Sequence, residues 1–280
     1  MSNLKKVKDY YNTNESKLGY MLFLSGAKHF GYYDEGEKMY RVNPALRKME
    51  RKIGEALDLP KNSKILDAGS GMGAVSRNLA RWFQYDITGI DILDFNLKEA
   101  RKQALKADNA DLSLEYLEMD YHKLSFGNAT MNGVYTTETF VHAADPKQVL
   151  KEFYRVLKPG GRLVQLEYSH DPYSTMTLAE KQRFEFVNEY AAMPAFSMFE
   201  HGIHEKLLED VGFKLMSSTN YMRNIEPMLH WFMLCAWLPV KFIRLIKKEK
   251  HFVNAISAVD FWKLRDKVQV KIIIADKPKV

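Results

Sequence analysis

From residue 46 onward, the hydrophobic positions of the chain alternate between helical spacing and short continuous runs. Residues 46–58 place apolar side chains at helical intervals among charged ones, which predicts an amphipathic helix. The next apolar run, 64–69, is short and ends in glycine, which is typical of a buried strand followed by a turn. The same alternation predicts strands at 85–91, 112–119, 133–137 and 162–168, and helices at 71–83, 97–107 and 146–157.

The last third of the chain predicts a helix at 204–211 and two late strands, 213–221 and 268–275. Together these elements indicate an α/β fold with a doubly wound, mostly parallel seven-stranded sheet. Lys158-Pro-Gly-Gly161 is predicted to be a turn between helix and strand. Residues 170–200 and 222–266 are expected to cover the carboxyl edge of the sheet, where such folds bind ligands. The resulting division is an N-terminal flap with helices (1–45), a core (46–169), and cap insertions with the closing strands (170–280).

Composition and charge narrow the class of protein. With 280 residues, 46% of them hydrophobic and 27% charged, the chain is typical of a folded globular protein. A single cysteine, Cys235, excludes an intrachain disulfide and a cysteine-rich metal site. The first residues lack an apolar signal core, so we expect a cytoplasmic protein. The charge of +6 and the isoelectric point near 9.1 suit an anionic ligand or a membrane surface, and equally a solvated lysine-rich exterior.

The glycine-rich loop after the first strand is compatible with two kinds of cofactor. Gly69 and Gly71 allow the backbone to approach a ligand closely, as in dinucleotide-binding proteins. Asp67 decides between them, because its carboxylate would repel a pyrophosphate and attract an ammonium or a sulfonium. Asp91 ends the second strand, where an acid can bind ribose hydroxyls, and Asp120 follows the third strand. This set of acids favours S-adenosylmethionine.

Four motifs between Asn62 and Ser169 together resemble those of class I S-adenosylmethionine-dependent methyltransferases. They are ILDAGSGMG, ITGIDI, LEMDY and FYRVLKPGGRLV. The resemblance implies a Rossmann-like methyltransferase fold with S-adenosylmethionine as the cofactor. The implied contacts are Asp67, Gly69, Ser70 and Gly71 at the methionine end, Asp91 on the ribose, Ile92 on the adenine face, Asp120 and Tyr121 at the adenine edge, and Thr137 at the end of the fourth strand.

A second resemblance concerns the end of the fourth strand and the N-terminus. Glu138 and His142, after Tyr135, are similar in spacing to a pattern of the sterol C-methyltransferases, and more loosely of tocopherol, cyclopropane-fatty-acid and mycolic-acid enzymes. The N-terminal stretches 9–12 and 28–34 resemble the flap of the same group. This resemblance implies that flap tyrosines, here Tyr11 and Tyr33, close over the cofactor.

The candidate catalytic residues are Glu138, His142 and Glu167. If the methyl group goes to an alkene, a carboxylate can stabilise the resulting cation and a base must remove a proton. Glu138 and Glu167 are then the candidate carboxylates and His142 the candidate base, although Glu167 suits an orienting role better. If the acceptor atom is nitrogen or oxygen, His142 is the base. Carbon is the favoured acceptor atom, and a silent S-adenosylmethionine-binding adaptor is the alternative from another class.

The apolar stretch 228–246 indicates the kind of partner. Its charged residues and proline argue against a transmembrane helix. It is interpreted as a lid over an apolar pocket, as a peripheral membrane contact with the lysines up to residue 250 on lipid headgroups, or as a dimer interface. All three suit a small apolar or amphipathic substrate. No motif or basic module for nucleic acid is present, and an oligomer is compatible with the sequence.

Overall fold

The computed structural model describes residues 3–11, 13 and 26–279, and this part of the chain contains one sheet of seven strands. The strands are β1 (Lys64–Ala68), β2 (Asp86–Asp91), β3 (Leu114–Glu118), β4 (Met131–Thr137), β5 (Leu157–His170), β6 (Lys214–Asn220) and β7 (Val268–Asp276). Their order is β3-β2-β1-β4-β5-β7-β6. Only β7 runs antiparallel to its neighbours, so the α/β class and the mostly parallel seven-stranded sheet are confirmed.

Helices cover both faces of this sheet. They are α1 (Asn3–Tyr11), α2 (Val42–Leu57), α3 (Ala74–Phe83), α4 (Asp94–Ala104), α5 (Pro146–Val156), α6 (Leu178–Tyr190), α7 (Ile203–Val211), α8 (Met222–Leu245) and α9 (Val253–Leu264). Successive residues of a strand point to opposite faces, so Ile65 enters one core and Leu66 the other. Helices α2, α3, α6, α8 and α9 contribute to the core that contains Ile65, whereas α5 and α7 contribute to the core that contains Leu66.

Several predicted boundaries differ from the structure by a few residues, and two of the differences change the description of the fold. Helix α4 begins at Asp94, about one turn before the predicted start. Leu93 is still extended, and Asp94 places an acid in the first turn, where it favours the helix. The predicted turn at 158–161 lies within β5. Pairing with β4 passes from Met131–Leu157 to Gly133–Arg162, so these four residues form a bulge rather than a separate turn.

The cap also supports the N-terminal segment. The start of α8 exchanges hydrogen bonds with residue 33, since Tyr33 N donates to Asn224 O (2.9 Å) and Asn224 Nδ2 donates to Tyr33 O (3.0 Å). The backbone of Gly31 lies 3.0 Å from Met228 Sδ. The first half of α8 therefore holds residues 27–33 in place.

Candidate active site

A cavity of about 320 Å³ lies at the carboxyl ends of strands β1 to β4. Neighbouring strands β1 and β4 are where the order of the parallel strands reverses, and open α/β sheets bind ligands at this point. The volume is at the lower end of the range for small-molecule sites, roughly 300–1,000 Å³. The cavity therefore has the position and size expected for a cofactor.

The glycine loop forms one wall of this cavity. Gly69 has φ +91°, and a Cβ there would lie 2.2 Å from Thr139 Oγ1. Gly71 also has a positive φ, and a Cβ there would meet only Lys28 Cδ, at 3.8 Å. Between them, Ser70 Oγ is buried with no hydrogen-bond partner among the described residues. A ligand can thus approach the loop backbone closely and find a free hydroxyl.

Asp91 and Lys28 lie in the next part of the wall, and both are hydrogen-bonded to Asn96. Asp91 Oδ2 accepts from Gly71 N (2.9 Å) and Asn96 Nδ2 (3.2 Å), and Oδ1 accepts from Leu93 N (2.8 Å). Lys28 Nζ donates to Asn96 Oδ1 at 3.0 Å. Burial lowers the pKa of Lys28 to about 8, although the charge of Asp91 opposes that change. The sequence does not predict that Lys28 lines the cavity, because the similarity of residues 28–34 to a flap rests on their tyrosines.

The adenine-edge residues predicted from the sequence also line the cavity, with partners of their own. Asp120 Oδ1 accepts from His122 N (2.9 Å) and lies 2.6 Å from His122 Nδ1. The hydrogen bond from the His122 side chain keeps the pKa of Asp120 below its usual value. Tyr121 donates its hydroxyl to Thr139 O (3.1 Å). Ile92 and Thr137 also lie in the wall.

Glu138 stands on strained backbone at the cavity wall. Its φ of +55° lies in the left-handed region that residues other than glycine rarely adopt. Its carboxylate accepts hydrogen bonds from Phe30 N (2.6 Å) and from the Tyr168 hydroxyl. Burial raises the pKa of Glu138 to about 7, even though both hydrogen bonds oppose the increase. Strain of this kind, typically about 1–3 kcal/mol, is most often found at functional sites.

His142 faces the same cavity and is held on both ring nitrogens. Nδ1 lies 2.8 Å from Ala192 O and Nε2 lies 2.8 Å from the Tyr11 hydroxyl. A carbonyl oxygen can only accept, so Nδ1 carries the hydrogen and Nε2 accepts from Tyr11. Burial lowers the pKa of His142 to about 4. The ring of His142 is therefore hydrogen-bonded to the backbone through Nδ1 and is neutral near pH 7.

Three of the predicted site residues lie outside the lining of this cavity. Tyr33 is buried with its hydroxyl donating to Met39 O (2.9 Å), so it belongs to a small core. Asp67 lies beneath the loop and accepts from Ser76 Oγ at 2.6 Å. Glu167 Oε1 accepts from Phe140 N (2.9 Å) and the neighbouring amide of residue 139, so it orients the turn that carries residue 138.

Residues 228–246 do not line this cavity, and their interpretation as a lid over an apolar substrate pocket stays a prediction. No residue between 170 and 266 is among its lining residues in the described part of the chain. The wall opposite the sheet comes instead from α1 and residues 26–28. Helix α8 contacts residues 31 and 33 of the N-terminal segment and does not itself line the cavity.

Comparison with known proteins agrees with this geometry. The profile of the family described as "Methyltransferase domain" matches residues 66–165. The S-adenosyl-L-methionine-dependent Diels-Alderase iccD of Talaromyces variabilis is 32% identical over 279 residues, which cover 98% of this chain and 95% of the relative. The chain belongs to the class I S-adenosylmethionine-dependent methyltransferase family. It is an enzyme of this family, and its cofactor is S-adenosylmethionine.

Two further similarities place the enzyme within the family. The sterol 24-C-methyltransferase erg-4 of Neurospora crassa is 33% identical over 133 residues, which cover 48% of this chain and 34% of the relative. The structure of the cyclopropane synthase MmaA2 from Mycobacterium tuberculosis superposes with a TM-score of 0.82 at 16% identity, covering 99% of both chains. Similarity to this group of small-molecule enzymes, inferred from Glu138 and His142, is confirmed.

The residues of the cavity fit S-adenosylmethionine. The free Ser70 hydroxyl and the open space at Gly71 suit a ligand that lies along the loop. Asp91 ends β2 with its carboxylate in the wall, where we expect it to hold the ribose hydroxyls. These individual contacts remain predictions, as do those of Tyr11, Ile92, Asp120, Tyr121 and Thr137.

Proposed function

We propose that the enzyme transfers the methyl group of S-adenosylmethionine to a carbon atom of a small, largely apolar acceptor, prenyl-derived, sterol-like or quinol-like. The observation that supports this most strongly is Glu138, a carboxylate at the cavity wall with burial raising its pKa to about 7. Near neutral pH such a group is present in both protonation states. It can therefore stabilise positive charge as an anion and accept a proton.

Carbon is favoured over nitrogen or oxygen by the surroundings of this carboxylate. Bound S-adenosylmethionine supplies an electrophilic methyl group, and alkylation of an alkene leaves positive charge on the acceptor. Glu138 is hydrogen-bonded to Tyr168, whose ring contacts those of Phe30 and Phe261. These rings surround the carboxylate from outside the cavity lining, so we expect the Glu138 anion itself to face a cationic carbon. Methylation of a hydroxyl needs a base at the nucleophile, and the lowered pKa of His142 makes it a weak one.

Neighbouring groups hold Glu138 in place. Its N–H donates to Leu166 O (2.8 Å), and Glu167 accepts from the next two backbone amides. Glu167 is thus a positioning residue for Glu138. On another side of the cavity, the hydrogen bond between Tyr11 and His142 joins the N-terminal helix to the wall, and we expect this contact to limit the access of water.

Mass spectrometry with trideuteromethyl-labelled S-adenosylmethionine tests the proposal. The acceptors are a sterol with a side-chain alkene, a prenylated hydroquinone and an unsaturated phospholipid. We expect labelled product and S-adenosylhomocysteine in equal amounts with at least one of them. Glu138→Gln should retain cofactor affinity and slow turnover by ~10²-fold or more, because it removes a charge needed mainly in the transition state. The exposed Glu115→Gln is the matched control, and equal turnover of the two variants would contradict the role of Glu138.

His142→Ala separates the two kinds of acceptor. If a cation forms on carbon, loss of His142 releases Tyr11 and admits water, so an isomer or an alcohol should accompany the normal product. If the acceptor is an amine, the product should stay the same, and the loss of rate should diminish as pH rises. Product profiles of the variant across pH distinguish these results.

A second candidate function is [4+2] cyclisation of a linear polyene with the cofactor bound and unconsumed. It is favoured by the similarity to the Diels-Alderase iccD, which extends over 98% of this chain. Cycloaddition moves no proton, and a neutral His142 bonded to the Tyr11 hydroxyl is compatible with that requirement. Preorganisation of the reacting carbons supplies the acceleration.

Product mass separates the two candidates. With a substrate that carries a conjugated diene and a second alkene, cyclisation gives a product of unchanged mass and no S-adenosylhomocysteine. Methyl transfer adds the labelled methyl group and releases S-adenosylhomocysteine. Formation of the isomeric ring with full recovery of the cofactor would replace the first proposal by the second.

A further inference from the structure

Helix α8 exposes a continuous apolar stripe on the side that faces away from the protein. We call this stripe the α8 face; its residues are Leu234, Trp237, Leu238, Phe242 and Leu245. Each side chain is between 46% and 79% exposed. Their spacing of three and four residues places them on one side of the helix. Contiguous exposed apolar surface of this kind marks an interaction site more often than scattered exposed residues do.

The opposite side of the same helix is packed in the protein. Val240 and Ile243 are buried against Ile256 and Val259 of α9. Arg244 pairs with a buried acid, Asp260, at 2.7 Å. Among the described residues, α8 is the one helix long and apolar enough to cross a membrane, with mean hydropathy 1.3. Its packed side shows that it lies on the protein surface, so only the α8 face is available to a partner.

Positive charge lies within this face and at one end of it. Lys241 lies one turn from Trp237, with Nζ 3.7 Å from the centre of the indole ring. The exposed Lys247, Lys248 and Lys250 follow the end of the helix. Between residues 234 and 252 the only acid is Glu249. An apolar stripe with one lysine within it and three more at its C-terminal end matches the interface of a bilayer, where apolar side chains enter the acyl region and lysines reach anionic headgroups.

We propose that the α8 face is a docking surface for an anionic lipid bilayer, with α8 lying along the membrane surface. A second copy of this chain suits the face less well, because a twofold contact centred on the stripe would bring Lys241 of one copy close to Lys241 of the other. The first half of α8 holds residues 27–33 in place, and two of these residues, Ala27 and Lys28, line the cavity. Docking therefore places the enzyme at the phase in which an apolar acceptor dissolves. Only this link to an apolar acceptor rests on the proposed function. Binding of the protein to vesicles can be measured without any turnover.

Vesicle sedimentation tests the proposal with the full chain. The vesicles contain phosphatidylcholine alone, or phosphatidylcholine with phosphatidylserine. We expect sedimentation with the anionic vesicles, weakening as salt increases, and little with the neutral ones. The double variant Leu238→Ser/Phe242→Ser should bind at least ~10-fold more weakly. The control Leu105→Ser/Leu178→Ser removes exposed leucines elsewhere on the surface, so it should bind like the wild type.

The single cysteine gives a second measurement. Cys235 is exposed and lies three residues from Leu238, so a fluorophore attached there reports on the face itself. Anionic vesicles should protect it from quenching by aqueous iodide. Circular dichroism of each variant checks that it is folded.

Several results would overturn the proposal. One is an absence of binding to anionic vesicles, and another is equal binding by the face variant and the wild type. A wild-type dimer that the face variant dissociates, with no vesicle binding, would assign the face to a second copy of the chain. Binding with no methyl transfer to any acceptor would leave the docking surface intact and contradict the proposed function alone.

Discussion

Replacement of Glu138 by Gln should stabilise the fold at alkaline pH while it impairs catalysis. The pKa of this carboxyl is about 7 in the fold against an ordinary value of 4.5. Because the folded value is raised, the contribution of Glu138 to stability is complete below about 4.5 and is lost as pH rises towards 7. Gln reproduces the protonated acid, with an amide oxygen for Phe30 N and an amide group for Tyr168. The variant therefore avoids this loss.

The size of the effect follows from the same values. At about 1.4 kcal/mol for each pH unit, the difference between the folded and unfolded pKa corresponds to at most about 3 kcal/mol. The variant should exceed the wild type in the free energy of unfolding by about 1 kcal/mol near pH 5 and about 3 kcal/mol near pH 8. Urea unfolding followed by circular dichroism at both pH values measures this difference, and no acceptor is required.

Glu205→Gln is a control of opposite sign. Burial raises the pKa of Glu205, but hydrogen bonds from Lys271 and Ser218 outweigh it and bring the pKa to about 2. Its contribution is present above the ordinary value of 4.5 and is lost only as pH falls through about 2. This variant should be less stable than the wild type at both pH values. The difference in free energy of unfolding between Glu138→Gln and the wild type should grow from pH 5 to pH 8. If it did not, the argument that burial destabilises the ionised carboxylate of Glu138 would be refuted.

Three further predictions concern the cofactor site. Asp91→Ala should weaken binding of S-adenosylmethionine by about 1.5–3 kcal/mol through lost charged hydrogen bonds; unchanged affinity in calorimetry would contradict it. The affinity of the wild type for S-adenosylmethionine should increase as pH rises through about 8, because neutral Lys28 no longer repels the cationic ligand. The variant Lys28→Met should lack this increase, and identical pH profiles of the two proteins would contradict the role of Lys28. Gly69→Ala should abolish cofactor binding and lower the melting temperature, since its Cβ would meet Thr139, whereas Gly36→Ala, with a similar φ but open space, should bind normally.

A prediction for the N-terminal flap remains open. From the sequence we expect residues 1–34 to be mobile without ligand and to order over the cofactor. Residues 1, 2, 12 and 14–25 lie outside the described part of the chain, while Tyr11 and Lys28 line the cavity. Limited proteolysis with and without S-adenosylhomocysteine checks the expectation. Equal cleavage under both conditions would argue against it.

The sequence by itself determined the sheet and the part of the cavity wall that directly follows its strands. Strand and helix periods are local properties, so the alternation from residue 46 to 169 predicted the elements within a few residues of their observed bounds. Parallel strands end at one edge, so residues just after β1, β2, β3 and β4 had to lie together. Gly69, Asp91, Asp120 and Glu138 lie at or just after the ends of these four strands, and all of them line one cavity.

Only the tertiary structure decided how these residues are paired and which of them face the ligand. The partners of Glu138 are Phe30, 108 residues earlier, and Tyr168, 30 residues later. Tyr11 and His142 are 131 residues apart. No local pattern encodes such pairs, because they depend on how separate elements pack. The same packing buried Asp67 beneath the loop and left one side of α8 exposed, since burial is set by the neighbours that a side chain acquires in the fold and not by its own hydrophobicity.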